Sequence, residues 1–174
     1  LRKKYWEKEH VKGTPLLIAI HDFHQKDSMI WSRRALEKYL YGAERENHFG
    51  ENEIIQKVTL IAEHKWNDKV IPSNFFALDD AKNISAVIHS NQATIGKFLR
   101  MGYLAEFGRR DIDIKFSGQC IQNNNQIPVG FDFTVTDDSY SELWSDSITI
   151  YHNPSALTPL DPALFPGVAH VFFD

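Results

Sequence analysis

Cysteine is nearly absent from this sequence, since Cys120 is the only one among 174 residues. A single thiol excludes an internal disulfide and any metal site built from several cysteines, and it is typical of proteins from a reducing compartment. No apolar run approaches the ~20 residues that a membrane-spanning helix needs. The composition therefore predicts a cytoplasmic protein with no membrane partner.

Glycine and proline are also scarce, with nine and seven residues, and 43% of the chain is hydrophobic, as in ordinary globular proteins. A chain of this length suffices for one domain, which we expect to cover residues 1–174. The first residue is Leu1, and it lies within a helical pattern. We therefore expect the domain to be the carboxyl-terminal portion of a longer protein.

The net charge of −4 is unevenly distributed along the chain. Residues 111–174 contain nine acidic residues and one base, Lys115, whereas residues 1–110 contain 18 bases and 14 acids. A polyanion such as nucleic acid would meet the first part more readily than the second. A solvated acidic surface is the simpler interpretation of the second part.

The most apolar stretch of the chain, residues 15–20, carries no polar side chain and predicts a strand that is buried on both faces. Residues 83–89 form a second strongly apolar stretch, which also predicts a strand. From residue 111 onward apolar and polar side chains alternate, which predicts two antiparallel strands joined by a turn at residues 123–125. Further strands are predicted at residues 54–63, 147–152 and 169–173.

Helices are predicted where apolar side chains recur three and four residues apart. They cover residues 1–11, 28–41 and 92–101, and in the third helix Ile95, Phe98 and Leu99 are expected to face the core. The polar residues 44–53 are expected to form a loop.

Together these elements predict an α/β or α+β fold. We expect a mixed β-sheet with residues 15–22 and 84–89 inside it, at least three helices packed on it, and an antiparallel carboxyl-terminal part.

Three of the predicted strands end in a histidine, at His21, His89 and His152. If these strands run in the same direction, their imidazoles gather at one edge of the sheet, near Asp22 and His24. Because imidazole and carboxylate are ligands of zinc and iron(II), the pattern predicts a divalent-metal site formed by the three histidines, with Asp22 and His24 as catalytic groups. Asp22 and His24 share one face of the strand and His21 the other, so only a subset can converge. Hydrogen-bonded histidines at strand ends are the alternative interpretation.

Four further residues are candidates for binding a substrate. Asn91 and Asn153 follow two of these histidines closely, and Lys97 with Arg100 could contact phosphate groups. Solvated charge is the simpler interpretation of the two bases. The chain contains no Gly-x-Ser-x-Gly, no Walker lysine and no His-Glu-x-x-His motif, so no nucleophile of a known type is recognisable.

Several motifs resemble a family of bacterial proteins, some of which are labelled "glycosaminoglycan attachment site" proteins. They are found at residues 3–6 (Lys-Lys-Tyr-Trp), 15–24, 28–32 (Ser-Met-Ile-Trp-Ser), 36–42, 90–102 and 152–157 (His-Asn-Pro-Ser-Ala-Leu). Members of that family are longer at the amino end, where they resemble the sheet and acidic motif of PD-(D/E)XK nucleases. The resemblance implies that residues 1–22 occupy the helix and strand that follow the catalytic strands of such a nuclease.

Three functions are consistent with these patterns. The first is the carboxyl-terminal portion of a nuclease-like protein, which is catalytically incomplete in this chain and which contacts nucleic acid through the full-length protein. The second is a metal-dependent hydrolase that uses Asp22, His24 and a further histidine. The third is an interaction or scaffold domain with no catalytic site.

Overall fold

The computed structural model describes residues 3–22, 28–49, 54–109, 111–120 and 128–173. In chain order, the strands and α-helices are β1 (Leu17–His21), α1 (Ser28–Tyr41), β2 (Ala43–Phe49), β3 (Ile54–Leu60), β4 (Glu63–Trp66), β5 (Lys69–Pro72), β6 (Ala86–Ser90), α2 (Ile95–Leu104), β7 (Lys115–Cys120), β8 (Val129–Thr134), β9 (Ile148–His152) and β10 (Ala169–Val171). Short 3-10 helices span Tyr5–Glu7, Phe75–Ala77, Asp79–Asn83 and Pro162–Leu164. Neither α-helix in this part of the chain is long and apolar enough to cross a membrane.

The central element is a mixed four-stranded sheet with the order β1-β6-β9-β10. Strands β1 and β6 are parallel, with Leu17 opposite Ala86, and helix α1 lies between them in the chain. Strand β9 is antiparallel to β6, and β10 is parallel to β9. Apolar residues therefore lie on both faces of the two inner strands, as expected for a sheet that is covered on both sides.

One face of the sheet is covered by α1 and by the 3-10 helix at Phe75–Ala77. Leu40 and Phe76 pack against Val87 of β6 and Tyr151 of β9, and all four side chains are nearly inaccessible to solvent. The Tyr151 hydroxyl donates a hydrogen bond of 3.1 Å to the carbonyl of Arg33, and burial raises the pKa of Tyr151 to about 12. Helix α1 has the bounds that its sequence pattern predicts, and Gly42 follows it with a φ of 63°.

The opposite face is covered by the proline-rich coil between β9 and β10. Leu160 is buried against Ala86 and Ile150, and Phe165 and Val168 pack against the same cluster. This coil contributes apolar surface to the core without forming an α-helix or a strand. The sheet therefore lies between α1 and a coil.

The remaining strands form three antiparallel pairs, β2–β3, β4–β5 and β7–β8. The pairing of β7 with β8, in which Phe116 lies opposite Phe133, confirms the two antiparallel strands that the alternating pattern predicts. The turn predicted at residues 123–125 lies outside the described residues. The prediction of a loop is wrong for residues 44–49, which belong to β2 and pair with β3, and residues 50–53 lie outside the described residues. The polar side chains of β2 gave no strand signal, since a two-stranded ribbon needs no continuous apolar face.

The prediction of at least three helices packed on a sheet is wrong, because two α-helices and ten strands in several small sheets make up the described residues. The predicted first helix forms only a 3-10 turn at Tyr5–Glu7; Leu1 lies outside the described residues. Lys4 before this turn is in the left-handed conformation and Lys8 after it is extended, so an α-helix cannot continue through either residue.

The expectation that β1 lies inside the sheet is also wrong for the described part of the chain. Strand β1 is at the edge of the four-stranded sheet, and Ala19 at its centre is exposed. An uninterrupted apolar sequence is typical of an inner strand. Here, the same sequence forms the terminal strand of the described sheet.

Gly42 provides a test of the junction between α1 and β2. A Cβ atom at this position would lie 2.5 Å from Cβ of Asn74, and the positive φ is unfavourable for any L side chain. We expect Gly42→Ala to lower the free energy of unfolding by roughly 2–4 kcal/mol, measured by urea denaturation.

Gly102 is the matched control, because it lies within α2 and a methyl group added there would meet open space. Gly102→Ala should raise the stability by about 0.5–1 kcal/mol, since alanine favours the helix more than glycine. Equal effects of the two substitutions would contradict this account of the junction.

Candidate functional site

Parallel pairing brings the carboxyl ends of β1 and β6 to the same edge of the sheet. Ile20 lies opposite His89, and His21 lies opposite Ser90. Asp22 follows directly, and Asn91 comes next after β6; both are partly buried and make polar or electrostatic contacts. This edge is where open α/β sheets place their ligands.

His89 is the most deeply buried group at this edge, with 2% of its surface exposed. Its Nε2 lies 3.4 Å from Oγ of Ser32 in α1. Burial lowers the pKa of His89, Asp22 partly opposes this, and Arg33 and His21 lower it further. The lowered pKa favours the neutral imidazole of His89, which contacts the Ser32 hydroxyl and feels the charge of Asp22. A neutral imidazole of this kind can accept a proton.

The neighbouring His21 lies on the other face of the sheet. Ile18 and Ile20 pack in the cluster under α1 whereas Leu17 packs under the coil, so strand alternation places His21 on the coil side. His89 shares the α1 side with Val87 by the same alternation. The two histidines are close in register, but they point away from each other.

The predicted convergence of His21, His89 and His152 is wrong, because it required all three strands to run in the same direction and they do not. Strand β9 is antiparallel to β6, and His152 lies opposite Ala86, at the end of β6 that is remote from His89. His24 lies outside the described residues. Within the residues that the structure describes, no group of three or more histidine, cysteine and acidic residues is placed to hold a metal ion.

His152 instead meets a histidine that the sequence analysis did not select. Nε2 of His152 lies 2.9 Å from Nδ1 of His170 in β10, and the ring of Phe172 stacks on His152 at 4.2 Å. Burial and the neighbouring His170 lower the pKa of His152. The sequence does predict a strand that contains His170. It does not indicate that this strand pairs with β9, and only that pairing places His170 beside His152.

Asn153 has a role in the fold. Its buried amide nitrogen donates hydrogen bonds to the carbonyls of Ala81 (2.9 Å) and Ile84 (2.8 Å), and its side-chain oxygen accepts from the backbone N–H of Ser155 (2.9 Å). These three bonds join the end of β9 to the segment before β6. Substrate binding by Asn153 remains a prediction, but its polar groups already have partners.

Lys97 is directed into the protein and has 4% of its surface exposed. Its Nζ donates hydrogen bonds to the carbonyls of Asp146 (2.7 Å) and Trp144 (3.4 Å). Burial lowers the pKa of Lys97, although Glu142 and Asp146 oppose the shift. This ammonium group therefore attaches α2 to the loop before β9.

Arg100 on the same face of α2 forms a buried ion pair. Its guanidinium donates two hydrogen bonds to the carboxylate of Glu142, at 2.9 and 2.8 Å, and lies 3.8 Å above the ring of Phe116. The Tyr140 hydroxyl donates to the same carboxylate at 2.8 Å. Burial alone would raise the pKa of Glu142, but the bonds from Arg100 and Tyr140 outweigh it and the pKa is lowered.

The predicted orientation of α2 is consequently wrong. Ile95, Phe98 and Leu99 are 80%, 61% and 63% exposed, whereas Lys97 and Arg100 face inward. The charged side chains lie inside because the loop at residues 140–146 supplies a carboxylate and carbonyl acceptors for them. Pattern analysis cannot detect such a partner, since Glu142 is 42 residues away from Arg100.

Comparison of this chain with protein-family models, with curated proteins and with solved structures gives no match.

The ion pair between Arg100 and Glu142 can be tested by removing one partner. Glu142→Ala leaves the guanidinium buried without its carboxylate, and we expect the free energy of unfolding to fall by roughly 3–5 kcal/mol. Chemical denaturation at neutral pH would measure the change.

The pair between Arg109 and Asp111 has similar geometry, with contacts of 2.9 and 2.6 Å, but both side chains are exposed. Asp111→Ala is therefore the matched control and should change stability little, because water screens this pair. A large loss from Asp111→Ala together with a small loss from Glu142→Ala would refute the assignment.

His89 should make folding sensitive to mild acid. Its pKa in the folded protein is below the ordinary value of 6.5, so the unfolded chain binds the proton first as the pH falls through that value. The contribution of neutral His89 is thus present above about pH 6.5 and decreases below it.

Urea denaturation of the wild type and of His89→Gln at pH 7.5 and pH 5.5 would measure this effect. The wild type should lose more stability on acidification than the variant. An equal loss would show that His89 is not held in its neutral form.

Proposed function

We propose that this chain is the carboxyl-terminal portion of a larger bacterial protein with a nuclease-like core, and that it is catalytically incomplete by itself. In this proposal it supplies one side of the sheet, and strands that precede it supply the carboxylates that bind a divalent metal. The proposed substrate of the larger protein is nucleic acid, and the proposed location is the cytoplasm.

The observation that carries this proposal is the edge position of β1. Leu17, Ile18, Ala19 and Ile20 form an apolar strand that pairs with β6 on one side. Natural proteins usually protect exposed edge strands with charges, prolines or bulges, because the free backbone groups invite pairing. The first four residues of β1 contain none of these side chains. A preceding strand on this side would place β1 inside the sheet.

The unit formed by β1, α1 and β6 supports the same interpretation. Strands β1 and β6 are parallel, and the connection between them contains α1, which covers one face of the sheet, together with β2 to β5. Such a parallel pair can be extended at its edge by a further strand. The excess of bases in residues 1–110 would favour a polyanionic substrate near this half of the chain. The resemblance of residues 15–24 and 90–102 to the nuclease-like bacterial family agrees with this placement.

A second candidate function, a metal-dependent hydrolase, has one observation in its favour. Asp22 and His89 lie at the same edge of the sheet, and the carboxylate raises the pKa of the imidazole against the effect of burial. In that case the chain alone would bind a metal ion through Asp22, His89 and a further ligand such as His24. A scaffold domain would need neither this site nor preceding strands.

A comparison of two proteins would separate the three functions. One is this chain, and the other is the same chain extended upstream through the full reading frame. The nuclease proposal predicts that Mg²⁺ or Mn²⁺ stabilises the extended protein against heat and supports DNA cleavage, and that neither ion affects the short chain. The hydrolase predicts a metal response of the short chain that Asp22→Asn removes.

Hydrogen exchange of β1 gives a readout that does not depend on activity. Amides of residues 17–21 that face away from β6 should exchange rapidly in the short chain and become protected in the extended protein. Amides of the β7–β8 hairpin serve as the internal control and should be unchanged. Unchanged exchange in β1, with no metal response in either protein, would refute the nuclease proposal and favour the scaffold.

A further inference from the structure

We propose that His152 and His170 form a two-histidine site for a divalent transition metal, at the end of the sheet opposite His89. The site joins strands β9 and β10 and is independent of the function proposed above. It uses one histidine that the sequence analysis assigned to a different cluster and one that it did not select.

The first argument is the orientation of His170. Its Nε2 lies 3.2 Å from the carbonyl oxygen of Phe165. A carbonyl can only accept, so this nitrogen carries a proton and donates. In neutral His170 the other nitrogen, Nδ1, then presents its lone pair toward His152. Metal-binding histidines are commonly fixed by such a bond from the second nitrogen to a backbone carbonyl.

The second argument is the distance between the two facing nitrogens. Nε2 of His152 and Nδ1 of His170 are 2.9 Å apart. With metal–nitrogen bonds of about 2.0–2.1 Å, this separation corresponds to a nitrogen–metal–nitrogen angle of about 90°, with the metal off the line between the two nitrogens, so both rings must turn from their hydrogen-bonded orientation to direct their lone pairs at it. That angle suits the square-planar or tetragonal geometry of Cu²⁺ and Ni²⁺. Tetrahedral Zn²⁺ would need the nitrogens to separate by only about 0.4 Å more.

The third argument is the surroundings of the pair. A cavity of about 200 Å³ is lined by His152 together with Ser85, Asn153, Pro159, Leu160 and Phe172. The cavity borders only one of the two proposed ligands, since His170 is not among the residues that line it. Burial favours the neutral form of His152, which is the form that binds a metal.

Metal binding at this site conserves the number of protons on the two histidines. Without metal, His152 donates its Nε2 proton to Nδ1 of His170, as the orientation of His170 requires. When the metal takes both lone pairs, this proton moves through water to Nδ1 of His152. Both imidazoles remain neutral, and Nε2 of His170 keeps its proton.

The site would affect the shortest strand of the central sheet. Strand β10 contains three residues and is held by β9 and by a hydrogen bond from Tyr41 to the carbonyl of Val171. A metal bound to both strands adds a link between them and stabilises the folded protein by mass action. Two protein ligands also leave coordination positions open for a small molecule with a carboxylate or an amine.

Calorimetric titration with Cu²⁺, Ni²⁺ and Zn²⁺ would test the proposal, with Mg²⁺ as the ion that imidazole does not favour. We expect saturable binding of one transition-metal ion and no binding of Mg²⁺. His170→Gln should weaken the binding by a factor on the order of 10 or more. His64→Gln, in the distant β4–β5 hairpin, is the matched control and should bind as the wild type does.

Nuclear magnetic resonance of the wild-type protein tests the same site without requiring that a substituted protein folds. Cu²⁺ should broaden the backbone signals around residues 152 and 170 selectively. No saturable binding, or broadening centred on other histidines, would overturn the proposal. His89→Gln should retain the binding, so that failure of this site and failure of the hydrolase at Asp22 and His89 can be told apart.

Discussion

The structure depends most on the position and direction of strand β9. It is hydrogen-bonded to β6 on one side and to β10 on the other, so its side chains contribute to the core on both faces. Tyr151 packs under α1, and Ile150 packs under the coil. The Tyr41 hydroxyl at the end of α1 donates to the carbonyl oxygens of His152 (2.8 Å) and Val171 (3.1 Å). This contact ties the helix to two strands at once.

The direction of β9 also divides the polar residues of the sheet into two groups. Asp22 and His89 lie at the carboxyl edge of β1 and β6, where Ser32 of α1 contacts His89. His152 lies at the other end, since its strand runs the opposite way, and there it meets His170. The two groups of polar side chains therefore lie at opposite ends of one small sheet.

The sequence predicted elements well where one local pattern decides the structure. Helix α1 and the β7–β8 hairpin follow from apolar side chains repeating at helical and strand periods. Strand direction is different, because nothing within residues 148–152 indicates whether they run parallel or antiparallel to β6. The metal cluster predicted from His21, His89 and His152 depended on that direction, whereas the pair of His152 with His170 depends on a neighbouring strand from the end of the chain.

Helix α2 shows how a distant partner can reverse a correct periodic pattern. Ile95, Phe98 and Leu99 do lie on one stripe, but this stripe faces outward, where Phe98 contacts the exposed ring of Trp144 at 5.2 Å between ring centres. The buried residues of the helix are Met101 and Tyr103 together with the charged Lys97 and Arg100, and Arg100, from the basic part of the chain, pairs with Glu142 in the acidic part. The uneven charge distribution therefore has a structural component: at least one of the excess acids in the second part neutralises a base of the first part inside the protein. Predicting which face of α2 is buried requires knowing that Arg100 pairs with Glu142. Hydrophobic periodicity carries no information about this pair and therefore predicts the wrong face.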